Sequence, residues 1–176
     1  RNMLRQPIIT IMGNVDAGKT SLLDFIRKTS IAKSEPGLIT QSISSTNLPI
    51  KTILDMCKDL IKDKEIKIPG FLFIDTPGHA AFKNMRKRGG NLADIAILVI
   101  DINDLVKEQT IECIQILKQY KTPFVIVLNK IDALSGWRSS KTSLLQNIKS
   151  QSEHVANELD KRTYTLVGKL SEFGFN

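Results

Sequence analysis

Eight residues constrain this chain more than anything else in it: Gly13-Asn14-Val15-Asp16-Ala17-Gly18-Lys19-Thr20, a match to G-x-x-x-x-G-K-[ST]. They follow a short β-branched run at residues 7–12, which reads as a buried strand. They precede Leu22, Leu23, Phe25 and Ile26 at helical spacing, which predicts a helix over 19–28. The glycines let the backbone curl, so that the N–H groups from Asn14 through Val15, Asp16, Ala17, Gly18, Lys19 and Thr20 to Ser21 can converge on a phosphate. The N-terminus of the helix adds its positive dipole end. In such a loop Lys19 reaches the outer phosphates and the Thr20 hydroxyl ligates Mg²⁺.

The rest of the chain continues this strand–loop–helix alternation. A loop over 29–41 leads to an edge strand at 42–48, stopped by Pro49, and then a helix over about 50–63. Strands are expected at 71–74, 95–101 and 124–128, with helices at 80–88 and 108–120 between them. Apolar residues from Leu144 to Leu170 predict one long or broken helix over 143–173. Strands alternating with helices imply right-handed crossovers and a mostly parallel, doubly wound sheet. The expected fold is therefore a single α/β domain of the P-loop NTPase class over residues 1–176.

Composition agrees and narrows the partners. The chain is 41% apolar and 24% charged over 176 residues, which excludes a disordered tail or a disulfide-stapled miniprotein. A net charge of +7 favours acidic partners such as RNA or nucleotides. Cys57 and Cys113 stand far apart and read as small half-buried apolar residues in a reducing compartment. No apolar run approaches the roughly 18–20 residues of a membrane helix, and no signal-peptide core opens the chain. The expectation is a soluble, cytoplasmic protein, and a Met at position 3 suggests a piece excised from a longer chain.

Two further motifs fall after strands, where open α/β sheets bind their ligands. The first is Asp75-Thr76-Pro77-Gly78-His79. Asp75 can hold Mg²⁺ through water, the Gly78 N–H can meet a terminal phosphate, and His79 comes near an in-line water. The second is Asn129-Lys130-Ile131-Asp132. A carboxylate at Asp132 accepts two hydrogen bonds from adjacent N1–H and N2–H₂ donors, which guanine has and adenine lacks; buried, it would reject ATP. Asn129 can serve the base and the phosphate loop, and the Lys130 stem can cover the base face. Thr40, in the loop before the edge strand, can complete a Mg²⁺ shell when a terminal phosphate is present. On residues alone, an ATP-dependent P-loop enzyme and a GTP-dependent interaction module that never hydrolyses stay open.

Together these boxes resemble those of the translational GTPases. Ala80-Ala81-Phe82-Lys83-Asn84-Met85-Arg86-Lys87-Arg88-Gly89-Gly90 is similar to the initiation factors rather than the elongation factors. Asn129-Lys130-Ile131-Asp132-Ala133-Leu134-Ser135-Gly136-Trp137 resembles their eukaryotic and archaeal branch, the translation initiation factor 5B family, whose bacterial counterpart is initiation factor two. The resemblance implies a GTP-hydrolysing G domain that promotes ribosomal subunit joining, with GTP/GDP and Mg²⁺ bound and a monovalent cation near Asp16. It implies that His79 orients the attacking water on the ribosome; the basic run Lys83, Arg86, Lys87 and Arg88 beside it either approaches large-subunit RNA phosphates or forms a solvated helix face. Initiator tRNA would be met by domains outside this chain, and the factor would act as a monomer away from membranes. Asn14 stands where the family has His, and Leu38 where it has a second Gly. The last guanine-binding loop, with a final strand and helix, is expected beyond Asn176, so the G domain is expected to be incomplete at its C-terminus.

Overall fold

Strand β1 (Ile8–Gly13) lies at the centre of the sheet because both its faces are apolar and all its inner residues are buried. In this computed structural model residues 4–33, 45–61, 65–75 and 93–175 are described. Beside β1 run β2 (Ser45–Pro49), β3 (Gly70–Asp75), β4 (Ile95–Asp101) and β5 (Phe124–Asn129). The order is β2-β3-β1-β4-β5, with only β2 antiparallel to its neighbour. The edge position of β2 explains how it can end in a proline, and its alternate residues Thr46 and Leu48 are buried.

Helices cover both faces, and the two-residue period of the strands feeds each cover in turn. Ile9 and Ile11 of β1 pack with Leu23 and Ile26 of α1 (Lys19–Lys33) and Ile53 of α2 (Ile50–Cys57). Met12 of β1 and Ala96, Leu98 and Ile100 of β4 face the other way. There they meet Ile114 and Leu117 of α3 (Glu108–Gln119) and Leu166 of α5 (Glu153–Glu172). A short helix, α4 (Leu144–Lys149), precedes α5. Near the N-terminus Asp94 joins β1 to β4: it pairs with Arg5 and accepts the Ile8 N–H at 2.7 Å.

Several boundaries differ from expectation. Helix α1 runs to Lys33 rather than 28, and Phe25 is exposed rather than part of its packed face. Within the added turn the Thr29 hydroxyl bonds back to the Phe25 carbonyl at 2.8 Å, which accommodates its polar group inside the helix. Helix α2 ends at Cys57 and tightens into a 3₁₀ turn over Lys58–Ile61, with Lys58 at φ +30. The C-terminal helix is broken, because Ser143 and Ser152 each cap a new start by accepting from Gln146 N and Val155 N. Leu144, Leu145 and Val167, expected on its packed side, are exposed. The expected helix over 80–88 lies outside the described residues. Cys57 and Cys113 are free and half-buried, and burial pushes the Cys113 thiol up, which leaves it a small apolar residue rather than a nucleophile.

Candidate nucleotide site

The phosphate loop leaves β1 through Gly13, where the backbone presses against β4. A Cβ there would stand 2.5 Å from the Val99 carbonyl oxygen. Val15–Ala17 forms a 3₁₀ turn closed by Ala17 N–H donating to the Asn14 carbonyl at 3.0 Å. Gly18 then takes φ +93, a left-handed conformation natural to glycine. The Gly18 carbonyl accepts from Leu22 N–H at 3.0 Å, which starts α1. Val15 and Asp16 are exposed, as are Thr20 and Ser21, while Ala17 is buried.

Asp75 ends β3, two strands away by sequence but adjacent to β1 in the sheet. Its Oδ1 lies 3.0 Å from Lys19 Nζ, an ion pair between two half-buried side chains. That oxygen is itself buried and has no hydrogen-bond partner among the described residues. Charge at that distance, rather than a hydrogen bond, holds the two groups together. A buried carboxylate oxygen without a hydrogen bond, one strand from the Thr20 hydroxyl, fits a hydrated divalent cation. Among the described residues no cluster of three or more His, Cys, Asp or Glu forms a self-sufficient metal cage. A cation here would thus take its remaining ligands from water and phosphate, as Mg²⁺ commonly does.

Asn129 ends β5 and donates from Nδ2 to the Ala17 carbonyl at 2.9 Å. The approach is so close that a Cβ on Gly18 would stand 2.1 Å from that nitrogen. Lys130 follows in the left-handed region at φ +64, and its Nζ donates to the Asp16 carbonyl. The phosphate loop and the Asn129 loop therefore form one surface. Asp132 sits in the 3₁₀ turn Ile131–Ala133 and is exposed. In the chain by itself the Asp132 carboxylate is therefore open to solvent. Thr40, Gly78 and His79 lie outside the described residues, as do Leu38, Lys83, Arg86, Lys87 and Arg88.

Two residues at this edge escaped the sequence reading. Gln109 of α3 accepts the Val15 N–H of the phosphate loop at 3.4 Å. Asp101, at the end of β4, stands 3.3 Å from Lys130 Nζ. Burial alone would raise the Asp101 carboxyl, but the Asn103 N–H and then the Lys130 ammonium hold it below the ordinary carboxylate range. Its place at the C-terminal end of a central strand was the available signal.

A profile of the elongation factor Tu GTP binding domain matches residues 4–172. The chain belongs to that family. Its relatives within it include the probable translation initiation factor IF-2 of Methanocella arvoryzae, 53% identical over all of this chain and 30% of that protein. The factor of the same name from Thermoplasma acidophilum is 55% identical over 98% of this chain and 29% of its own length. The crystal structure of GDP-bound aIF5B from Aeropyrum pernix is similar at 45% identity and a TM-score of 0.86, over 98% of this chain and 29% of that one. The chain thus spans about 30% of the length of the relatives it matches. Among the described residues no helix is long and apolar enough to cross a membrane.

Proposed function

We propose that this chain is the G domain of a translation initiation factor of the archaeal IF-2 kind, and that it binds guanine nucleotides with Mg²⁺ and hydrolyses GTP. One observation carries the reading: the hydrogen bond from Asn129 to the Ala17 carbonyl joins a guanine-type loop to a phosphate loop. A phosphate loop alone would serve many nucleotides; the pairing with Asn129 and Asp132 favours guanine.

The roles follow from the chemistry of the groups. The amides from Asn14 to Ser21 and the Lys19 ammonium bind and neutralise the phosphates. Thr20 and Asp75 would hold Mg²⁺, with Thr40 joining them when a terminal phosphate is present. Bound there, Mg²⁺ neutralises charge across the outer phosphates. Gly78 N–H meets the terminal phosphate, and His79 orients the attacking water when the ribosome engages the domain. Asn129 and Asp132 read the base edge while the Lys130 stem covers its face. The Asp16 side chain, exposed on the loop, is where a monovalent cation would bind. Lys83, Arg86, Lys87 and Arg88 would face large-subunit ribosomal RNA. Initiator tRNA would be bound by other domains of a monomeric, cytoplasmic factor.

Base selectivity tests the reading. Asp132→Asn replaces a pair of acceptors by one acceptor and one donor, which suits xanthine better than guanine. Titration should show GDP preferred over XDP by the wild type and XDP preferred by the variant. Equal binding of GDP, XDP and ADP by the wild type would overturn the guanine assignment.

A further inference from the structure

Asp101 has no part in the roles above, yet it is a buried carboxylate at the centre of the site. It ends β4 in register with Asn129 of β5, and the Ile102 N–H donates to the Asn129 carbonyl at 3.0 Å. Its two oxygens have separate partners. Oδ1 accepts from Asn103 N at 2.8 Å and from Asn103 Nδ2 at 3.3 Å, while Oδ2 faces Lys130 Nζ at 3.3 Å. The Asp101 side chain is 11% exposed and that of Lys130 40%. A lysine so exposed could leave its ammonium in water at little cost. It is instead drawn between a buried carboxylate and the Asp16 carbonyl of the phosphate loop.

We infer that Asp101 is a positioning residue for Lys130, raising guanine-nucleotide affinity without touching the nucleotide. A lysine stem can cover a base only if both its ends are held. One end is the left-handed backbone at Lys130, costly for a non-glycine residue. The other is the ammonium, which Asp101 fixes by charge over the phosphate loop. Rigid placement spares the ordering cost that binding would otherwise meet. Arg162 of α5 braces the arrangement from behind. Its Nη1 donates to the Ile102 carbonyl at 3.1 Å and the Asn103 carbonyl at 3.3 Å, and Glu158 pairs with its Nε at 3.1 Å. The turn that presents the Asn103 amides to Asp101 is therefore tied to the long helix.

The inference rests on the guanine-nucleotide reading, and its test keeps the two apart. Asp101→Asn preserves shape and an acceptor for Asn103 but removes the charge. A fluorescent GDP analogue should bind about tenfold more weakly to it, the scale of one charge-assisted hydrogen bond. Lys130→Met should weaken binding too, and the double variant should be no weaker than Lys130→Met alone, since Asp101 acts through Lys130. Additive losses, or an Asp101→Asn variant that binds like the wild type, would overturn the inference. A second arm needs no nucleotide: acylation of Lys130 by an amine-reactive ester, followed by mass spectrometry, should be several-fold faster in Asp101→Asn. Unchanged labelling refutes the hold on Lys130 whatever the protein binds. A wild type that fails to bind GDP while the labelling rate rises would refute the functional reading, and with it the gain in affinity, but leave the hold of Asp101 on Lys130 standing.

Discussion

Gly18 shows how narrowly single residues determine this site. Its φ of +93 costs a residue with a Cβ about 1–2 kcal/mol, and that Cβ would meet Asn129 Nδ2 at 2.1 Å. Gly18→Ala should therefore displace Asn129, lose its hydrogen bond to Ala17 and lower stability by about 2–3 kcal/mol in all. In a domain of this size that is a fall in melting temperature of roughly 5–10 °C, read by calorimetry with and without GDP. A variant that melts and binds like the wild type would show that the Asn129 contact is incidental. Asp75 makes a second case, because its carboxylate is both the partner of Lys19 and a candidate Mg²⁺ group. Asp75→Asn should weaken GDP binding about tenfold or more in Mg²⁺, the range seen when groups around a metal are removed. In EDTA it should bind GDP at least as well as the wild type, since Lys19 no longer has to leave a carboxylate for a phosphate. Equal losses with and without Mg²⁺ would count against a metal role.

Among the strands and helices, the join between β1 and β4 makes its own prediction. The hydrogen bond from Arg5 holds the Asp94 carboxyl below its ordinary value, against the opposing effect of burial and with help from Ile8 N–H. A carboxyl depressed on folding contributes stability above its unfolded value, near 4, and loses it as pH falls through the folded value. The stability gap between wild type and Asp94→Asn should stay level from pH 7 to 5 and shrink below about pH 4 in urea titrations. A gap that is constant, or grows, down to pH 3 would sink the assignment. The central strands could be read in advance because they are short, nearly continuous apolar runs, as residues 96–100 are. Helix ends were harder. The helix expected to end at residue 28 runs on to Lys33, with the Thr29 hydroxyl turned back onto the Phe25 carbonyl; the break at 150–152 turns on a second serine cap. The phosphate-loop residues and Asn129 announce themselves by spacing. Asp101 and Gln109 do not, because an acid at a strand end reads as a turn residue until the register of β4 on β5 sets it against Lys130.

Taken together, the sheet divides the molecule into two apolar cores, one under α1 and α2 and the other under α3 and α5. The nucleotide site straddles that division. Its phosphate loop starts α1, which packs in the first core, whereas Asn129 ends and Asp132 follows β5, which packs in the second. Among the described residues the Asn129 and Lys130 bonds to the phosphate loop, with that from Val15 N–H to Gln109, are direct polar links from one side to the other at this edge. A guanine nucleotide held by both loops would add its own links across the same gap, so its binding energy should appear as stability of the whole domain. At a hundred times Kd, GDP should stabilise the fold by about 2.7 kcal/mol, a rise in melting temperature of roughly 5–11 °C, with one transition rather than two. ADP at the same concentration should leave the melting temperature close to that of the protein alone. A shift as large with ADP would mean that only the phosphate loop is engaged. Two separated transitions in GDP would mean that the cores unfold independently and that the nucleotide does not bridge them.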